Sequence, residues 1–378
     1  MKPEKTTVGR ISAGLEAWAA KLGMDESGGL CDSRFLQAWK GLASLGLFRL
    51  PFPGKSGGSP RPLAETELVL EALGRHIGFN GLSLSVGAQL WAVQAPLAEF
   101  GTPEQKRRFL EPLCRGQALA APAVTEKEAG SGVLEMQAVA ERKGAGYRVN
   151  AQKSCVTSAP LADFFLVWAR LPDRQGPMSL DCFIVPRKTR GLTTSSFRWE
   201  LGPAGALSGT VKLAGCDLPD SARLGRECQG LAVFLSAMSW ERRLILAPAI
   251  GAMEKRLEAA ARFACERRQS GRPIRQFQAV SHKLADMKIR LEACRAFLRQ
   301  ACLAADMSDE GLSSAVKVFI SEAWVANCLD AVELHGAAGC QDASLRCELG
   351  AALASRIMSG TNEIQRNLVA ARLALASR

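Results

Sequence analysis

The 378-residue sequence predicts an α+β protein in which helices, then short strands, then helices follow one another along the chain. Three observations predict it. Apolar residues recur at three-four spacing up to about residue 118, short apolar runs punctuated by Gly, Pro, Asp and Ser fill 119 to about 226, and helical spacing returns from 227 to 378. Such an order is uncommon, since mixed proteins mostly alternate their elements or segregate them into two blocks. Three domains are expected: 1–118, 119–226 and 227–378.

In the first segment the spacing Ile11, Leu15, Trp18, Leu22 is that of a one-sided helix, repeated by Phe35, Trp39, Leu42 and by Leu70, Leu73, Ile77. In the second, Gly144 and Gly146 read as a turn before Tyr147–Asn150, and Phe164–Leu171, Leu180–Val185 and Thr210–Leu213 read as buried strands. In the third, Leu284, Met287, Leu291, Cys294 and Leu298 keep helical register, as do Ile364, Leu368, Ala371 and Leu375, and a helical bundle is expected.

Composition is that of an ordinary globular protein, 47% hydrophobic and 22% charged. The N-terminal stretch to Gly23 mixes Lys2, Glu4, Lys5, Arg10 and Glu16 with an apolar stripe and lacks the block of a signal peptide. The longest apolar stretch, Leu231–Met253, is interrupted by Glu241, Arg242 and Arg243, so no membrane span is expected. Twelve cysteines, Cys31 among them, are scattered without a CxxC pair; they read as reduced core residues of a cytoplasmic protein, and no metal site is expected. The formal charge of +11 is spread along the chain, as on a solvated basic surface. It also suits the phosphates of CoA or an acidic carrier protein, whereas a single Tyr and no basic-aromatic motif argue against nucleic acid.

Four stretches carry a resemblance: FGTPEQKRRFLEPLCRG (Phe100–Gly116), VTEKEAGSG (Val124–Gly132), RRQSGRPIRQFQAVSHKLADM (Arg267–Met287) and SGTNEIQRNLVAARLAL (Ser359–Leu375). In this order and at this spacing they resemble successive signatures of the acyl-CoA dehydrogenase family over nearly the whole chain. The resemblance implies an N-terminal helical domain, a central β-barrel-like domain and a C-terminal four-helix bundle. It also implies a homo-oligomer, tetramer or dimer, with FAD held between the β domain and helices of two subunits.

The same resemblance assigns cofactor positions. Val124 and Thr125, with the backbone of Gly130 and Ser131, match the segment that bonds the flavin ring and phosphate arm, a task suited to hydroxyls and amides. Thr157 matches the threonine beside flavin N5, and Cys155 replaces a tryptophan that usually covers the ring. Arg267 and Gln278 match residues that reach the diphosphate and adenosine end from the adjacent subunit. Thr361 and Glu363 match positions that cap that end. Ser270 replaces an aromatic residue, Glu333 a glutamine and Ala337 a glycine, and an Arg-Asp pair is missing around Gly350 and Ala351. Taken singly, Thr125, Thr157 and Arg267 are ordinary turn, strand and surface residues; their joint register makes them a site.

Family chemistry removes a proton from the carbon alpha to a thioester carbonyl with a carboxylate while hydride passes from the beta carbon to the flavin, so a base is needed. Most members hold that glutamate just before the Gly-Thr that opens the last helix, where this chain has Ser359, too weak a base unaided. A minority place it on an earlier helix, at a position matched to Arg242. Glu241 adjoins it, but one helical step turns a side chain by about 100° and should aim it elsewhere.

Arg242 and Arg243 together suit a substrate with its own anion, such as a malonyl, hydroxymalonyl or sulfinate group, or Arg242 simply pairs with Glu241. The first reading is a flavoprotein acting on an acyl thioester, on CoA or an acyl carrier protein, by a reaction that dispenses with the usual base: oxidation at a hydroxyl-bearing carbon, elimination of an anion, or oxygenation. A pocket-completing subunit of an active paralogue, and an ordinary dehydrogenase with Glu241 as relocated base, are the alternatives.

Overall fold

In the computed structural model, which describes residues 7–23, 32–52, 62–304 and 309–375, the stripe that begins at Ile11 forms helix α1 (Thr7–Ala19), with Ile11 and Leu15 buried. Helix α2 (Asp32–Ser44) buries Phe35, Trp39 and Leu42, and α3 (Leu63–Ile77) buries Leu70, Leu73 and Ile77. The Asn80 side chain accepts hydrogen bonds from the Leu82 and Ser83 amides and caps α4 (Gly81–Gln89), which is buried throughout. A π turn over Leu90–Gln94 leads into α5 (Ala95–Phe100), and a Thr102–Gln105 capping box opens α6 (Pro103–Gln105). Helix α7 (Glu111–Cys114) closes the first block.

Seven strands then form one open, curled sheet, a half-barrel: β1 (Ala120–Ala123), β2 (Val139–Lys143), β3 (Gly146–Thr157), β4 (Phe164–Arg170), β5 (Leu180–Pro186), β6 (Leu192–Phe197) and β7 (Ser208–Pro219). Strand β4 pairs antiparallel with β5, parallel with β1, and touches β2 at Val139–Arg170. From β2 the sheet continues antiparallel through β3, β7 and β6. Both faces of β4 and β5 are covered, which is why their sequences are continuous apolar runs. The strands that spacing did not predict are β1, only four residues with a proline, and the largely polar β2 and β6.

The third block consists of α8 (Gly230–Leu244), α9 (Ala247–Glu266), a hairpin of β8 (Arg268–Gln269) and β9 (Arg272–Pro273), α10 (Gln278–Leu303), α11 (Glu310–His335), α12 (Ala337–Gln341), α13 (Ala343–Ser355) and α14 (Asn362–Leu375). Helix α11 lies at its centre, against α8, α9, α10, α13 and α14. Helices α3 and α9 cross so closely that a Cβ on Gly251 would stand 1.9 Å from the Glu71 carbonyl oxygen, and one on Gly74 would stand 1.7 Å from that of Pro248. Only glycine allows that approach, which locks the first block onto the third. The Trp168 indole N–H donates to the Gly230 carbonyl at 2.9 Å and ties the sheet to the start of α8.

No helix of the described residues is long and apolar enough to cross a membrane. Of the cysteines, Cys114, Cys182, Cys216, Cys294, Cys302 and Cys328 are buried as expected, whereas Cys155, Cys265 and Cys340 are exposed, a correction to their reading as core. Cys31, Lys2, Glu4, Lys5 and the Leu375 side chain lie outside the described residues.

Candidate active site

The loop after β1 brings Val124 and Thr125, both half-buried, alongside the end of β3. Two fastenings hold it there. The Ser154 amide donates to the Thr125 carbonyl at 2.8 Å, and Lys153, fully buried, donates to the Val124 carbonyl at 2.9 Å and pairs with Glu126 at 2.8 Å. Glu126 also accepts the Gln137 and Ala138 amides, so its charge is consumed internally. Burial pushes Lys153 down to about 8, opposed by its bond to Glu126. This pair escaped the sequence reading, although Val149, Ala151 and Lys153 alternate inward along one strand and a lysine at an inward position was the available signal.

Just beyond Lys153 the β3–β7 register shifts, and Cys155 takes φ +55 and stands exposed while Thr157 is half-buried. A bulge of this kind re-aims side chains beside a site. Gly130 and Ser131 are exposed, with nothing within 4 Å of where a Gly130 Cβ would lie. Thr125 is held beside the end of β3, and the Glu126 carboxylate is engaged by Lys153 and the Gln137 and Ala138 amides.

Arg267 caps the end of α9, Ser270 sits at φ +49 in the hairpin, and Gln278 is the first residue of α10; all three are exposed. Glu333, also exposed, is held by Lys283, which bridges it and Asp330. Thr361 accepts the Ile364 amide at the start of α14, and the Glu363 backbone amide, aided by the Thr361 hydroxyl, holds Glu363 toward the carboxylate form.

The catalytic candidates separate along α8. Arg243 is 1% exposed and donates to Ser313 Oγ and to the Ala301 carbonyl, so it anchors α8 to α10 and α11 and is not a substrate cation; that expectation is corrected. Arg242 is 5% exposed, with Nε and Nη1 lacking hydrogen-bond partners, and faces Glu310 and Glu241. Burial lowers its pKa.

Glu241 does not turn away, as the single-step argument expected. Its carboxyl meets the Ser359 hydroxyl. The 100° step instead sends Arg242 into the bundle and brings Glu241 to the turn before α14, so Ser359 is faced by a carboxylate from α8. Ser359 Oγ is buried and makes no hydrogen bond of full geometry, leaving Glu241 as its polar neighbour. Burial pushes Glu241 up to about 7, against the pull of Ser359, Arg242 and Lys317 toward ionisation. The side chain nevertheless remains partly accessible. Beside it on α8, Trp240 stacks on the fully buried Trp91, with centroids 5.7 Å apart and planes 5° apart, forming a rigid wall.

Three family models, the N-terminal, middle and C-terminal domains of acyl-CoA dehydrogenase, match residues 23–117, 121–216 and 228–374. The chain belongs to the acyl-CoA dehydrogenase family. It is 36% identical over 346 residues to the L-prolyl-[peptidyl-carrier protein] dehydrogenase of Serratia sp. (strain ATCC 39006), an alignment covering 90% of this chain and 89% of that one. Among solved structures it superposes on the prolyl acyl carrier protein oxidase AnaB with a TM-score of 0.91 at 34% identity, covering 98% of this chain and 99% of that one. The FAD complex of PigA gives a TM-score of 0.91 at 33% identity and 98% coverage of both chains. This is an oxidoreductase of the acyl-CoA dehydrogenase type.

Proposed function

We propose that the protein is an FAD-dependent dehydrogenase of an aminoacyl thioester carried on a carrier protein, with Glu241 as the base. The single observation that carries this reading is the Glu241 carboxyl at the Ser359 turn, with a pKa near 7. With the Glu241 carboxyl at the Ser359 turn, a reaction that dispenses with a base is not required. Similarity to carrier-protein dehydrogenases and oxidases along nearly the whole chain supports the substrate class.

The residues fit FAD: Thr125 and Thr157 supply hydroxyls, Gly130 and Ser131 supply amides, and Arg267, Gln278, Thr361 and Glu363 lie exposed or half-exposed at helix ends. Arg267 and Gln278 serve the cofactor of a neighbouring subunit in this reading. When bound, FAD supplies the hydride acceptor. Glu241 takes the proton from the carbon alpha to the thioester carbonyl, and the hydride leaves the adjoining atom, so that a double bond remains in the product. A base titrating near 7 is matched to neutral pH, since it is largely ionised yet still basic enough to accept the proton. The fastened Thr125 loop holds the flavin side of the site in place.

Anaerobic titration of the FAD-loaded protein tests the substrate class. Bleaching of the flavin by a prolyl thioester on a carrier protein, and weaker or no bleaching by the matching acyl-CoA, is expected. Bleaching by acyl-CoA thioesters alone would remove the carrier-protein reading.

A further inference from the structure

The turn that carries Ser359 is strained and held from behind. Ser359 and Gly360 occupy left-handed backbone at φ +58 and +84, a conformation unfavourable for a serine. The Gln365 amide donates to the carbonyls of Ser359 at 3.2 Å and Gly360 at 3.1 Å. From α11 the fully buried Lys317 donates to the same Gly360 carbonyl at 2.9 Å and to Asn362 Oδ1 at 2.8 Å. Asn362, itself buried, exchanges further bonds with Ser321. A lysine whose bonding partners are a carbonyl and an amide oxygen, with no carboxylate among them, is an expensive group to bury.

We propose that Lys317 is a positioning residue for the base: by clasping the Gly360 carbonyl and Asn362 it fixes the strained turn, and through the Ser359 hydroxyl it seats the Glu241 carboxylate. The inference rests on Glu241 as the proton acceptor. The clasp needs two donors, which the amine supplies whether protonated or neutral, so it persists across the working pH range. Burial lowers the Lys317 pKa to about 7, with Glu363 opposing and Arg242 and Arg356 adding to the fall; Glu241 opposes it as well. Around Glu241 the charged groups are Arg242 on its own helix and Lys317 on α11, with the Ser359 hydroxyl on the turn. Loss of Lys317 removes a cation and a clasp together, and both losses raise the pH at which Glu241 ionises.

The test is the pH dependence of anaerobic flavin bleaching in the FAD-loaded protein, measured for Lys317→Met, Lys317→Arg, Ser359→Ala and Glu241→Gln. In Lys317→Met the rising limb should move to higher pH by about half a pH unit or more, and Lys317→Arg should return it toward the wild-type position. Ser359→Ala, which leaves the clasp intact and trims one hydroxyl, should move the limb the same way, and it decides the matter if Lys317→Met does not fold. A wild-type limb in Lys317→Met, whatever its melting temperature, or in Ser359→Ala, overturns the proposal. Wild-type bleaching by Glu241→Gln instead overturns the base assignment on which the proposal rests, so the two failures are distinct.

Discussion

Glu241 of α8 and Ser359 of the turn before α14, 118 positions apart in sequence, meet as carboxyl and hydroxyl, and the family resemblance matches Ser359 to the usual base. In the proposed reading the base acts from α8, facing the position that the family resemblance matches to the usual glutamate.

The pH dependence follows from the sign of the Glu241 shift. Burial raises its pKa to about 7, so the basic form is scarce below that value and prevails above it. The rate of flavin bleaching should rise through about pH 7 and level off at higher pH. A rate independent of pH between 6 and 8 contradicts Glu241 as the titrating base.

Restoring a glutamate at position 359 separates the two base locations. Ser359→Glu alone sets a second carboxyl against Glu241; the pair cannot readily ionise together, and bleaching at neutral pH should slow. Combined with Glu241→Gln, the same substitution should recover at least about tenfold over Glu241→Gln alone, since the base then acts from the other element. Absence of any recovery would show that the two positions do not address one carbon.

The Lys153–Glu126 pair holds the Thr125 loop from inside the sheet. Lys153→Met leaves a buried carboxylate without its partner, with an expected cost of about 3–5 kcal/mol in denaturant unfolding and a weakened hold on FAD. The double variant with Glu126→Gln should regain part of both. A loss below about 1 kcal/mol in the single variant would mean that the pair contributes little.

Much of the architecture was legible in the sequence because burial imposes period: Phe35, Trp39 and Leu42 on one helix face, or the continuous run of β4, leave a direct trace. Strands β1, β2 and β6 left none, being short, proline-bearing or mostly exposed, and their pairing partners alone define them. At the site, the matches of Thr125 and Thr157 to flavin positions and of Ser359 to the base position came from the family resemblance, not from spacing. Glu241 was named there only as an alternative base expected to point elsewhere, because a one-residue difference along a helix decides which side chain reaches a distant turn, and only packing sets that rotation. Arg243 misled for the same reason: a guanidinium looks alike in sequence whether it faces substrate or, as here, Ser313 and the Ala301 carbonyl. Lys317 was hidden among the small and apolar residues of α11, and its importance comes from the Gly360 carbonyl it bonds 43 positions away.

The most direct measurement is the rate of anaerobic flavin reduction by a carrier-bound prolyl thioester in Glu241→Gln against wild type, with FAD content checked in both. The account predicts a fall of about 10²–10⁴-fold with FAD still bound, the usual contribution of a positioned general base. An unchanged rate in a fully flavin-loaded Glu241→Gln protein would contradict it.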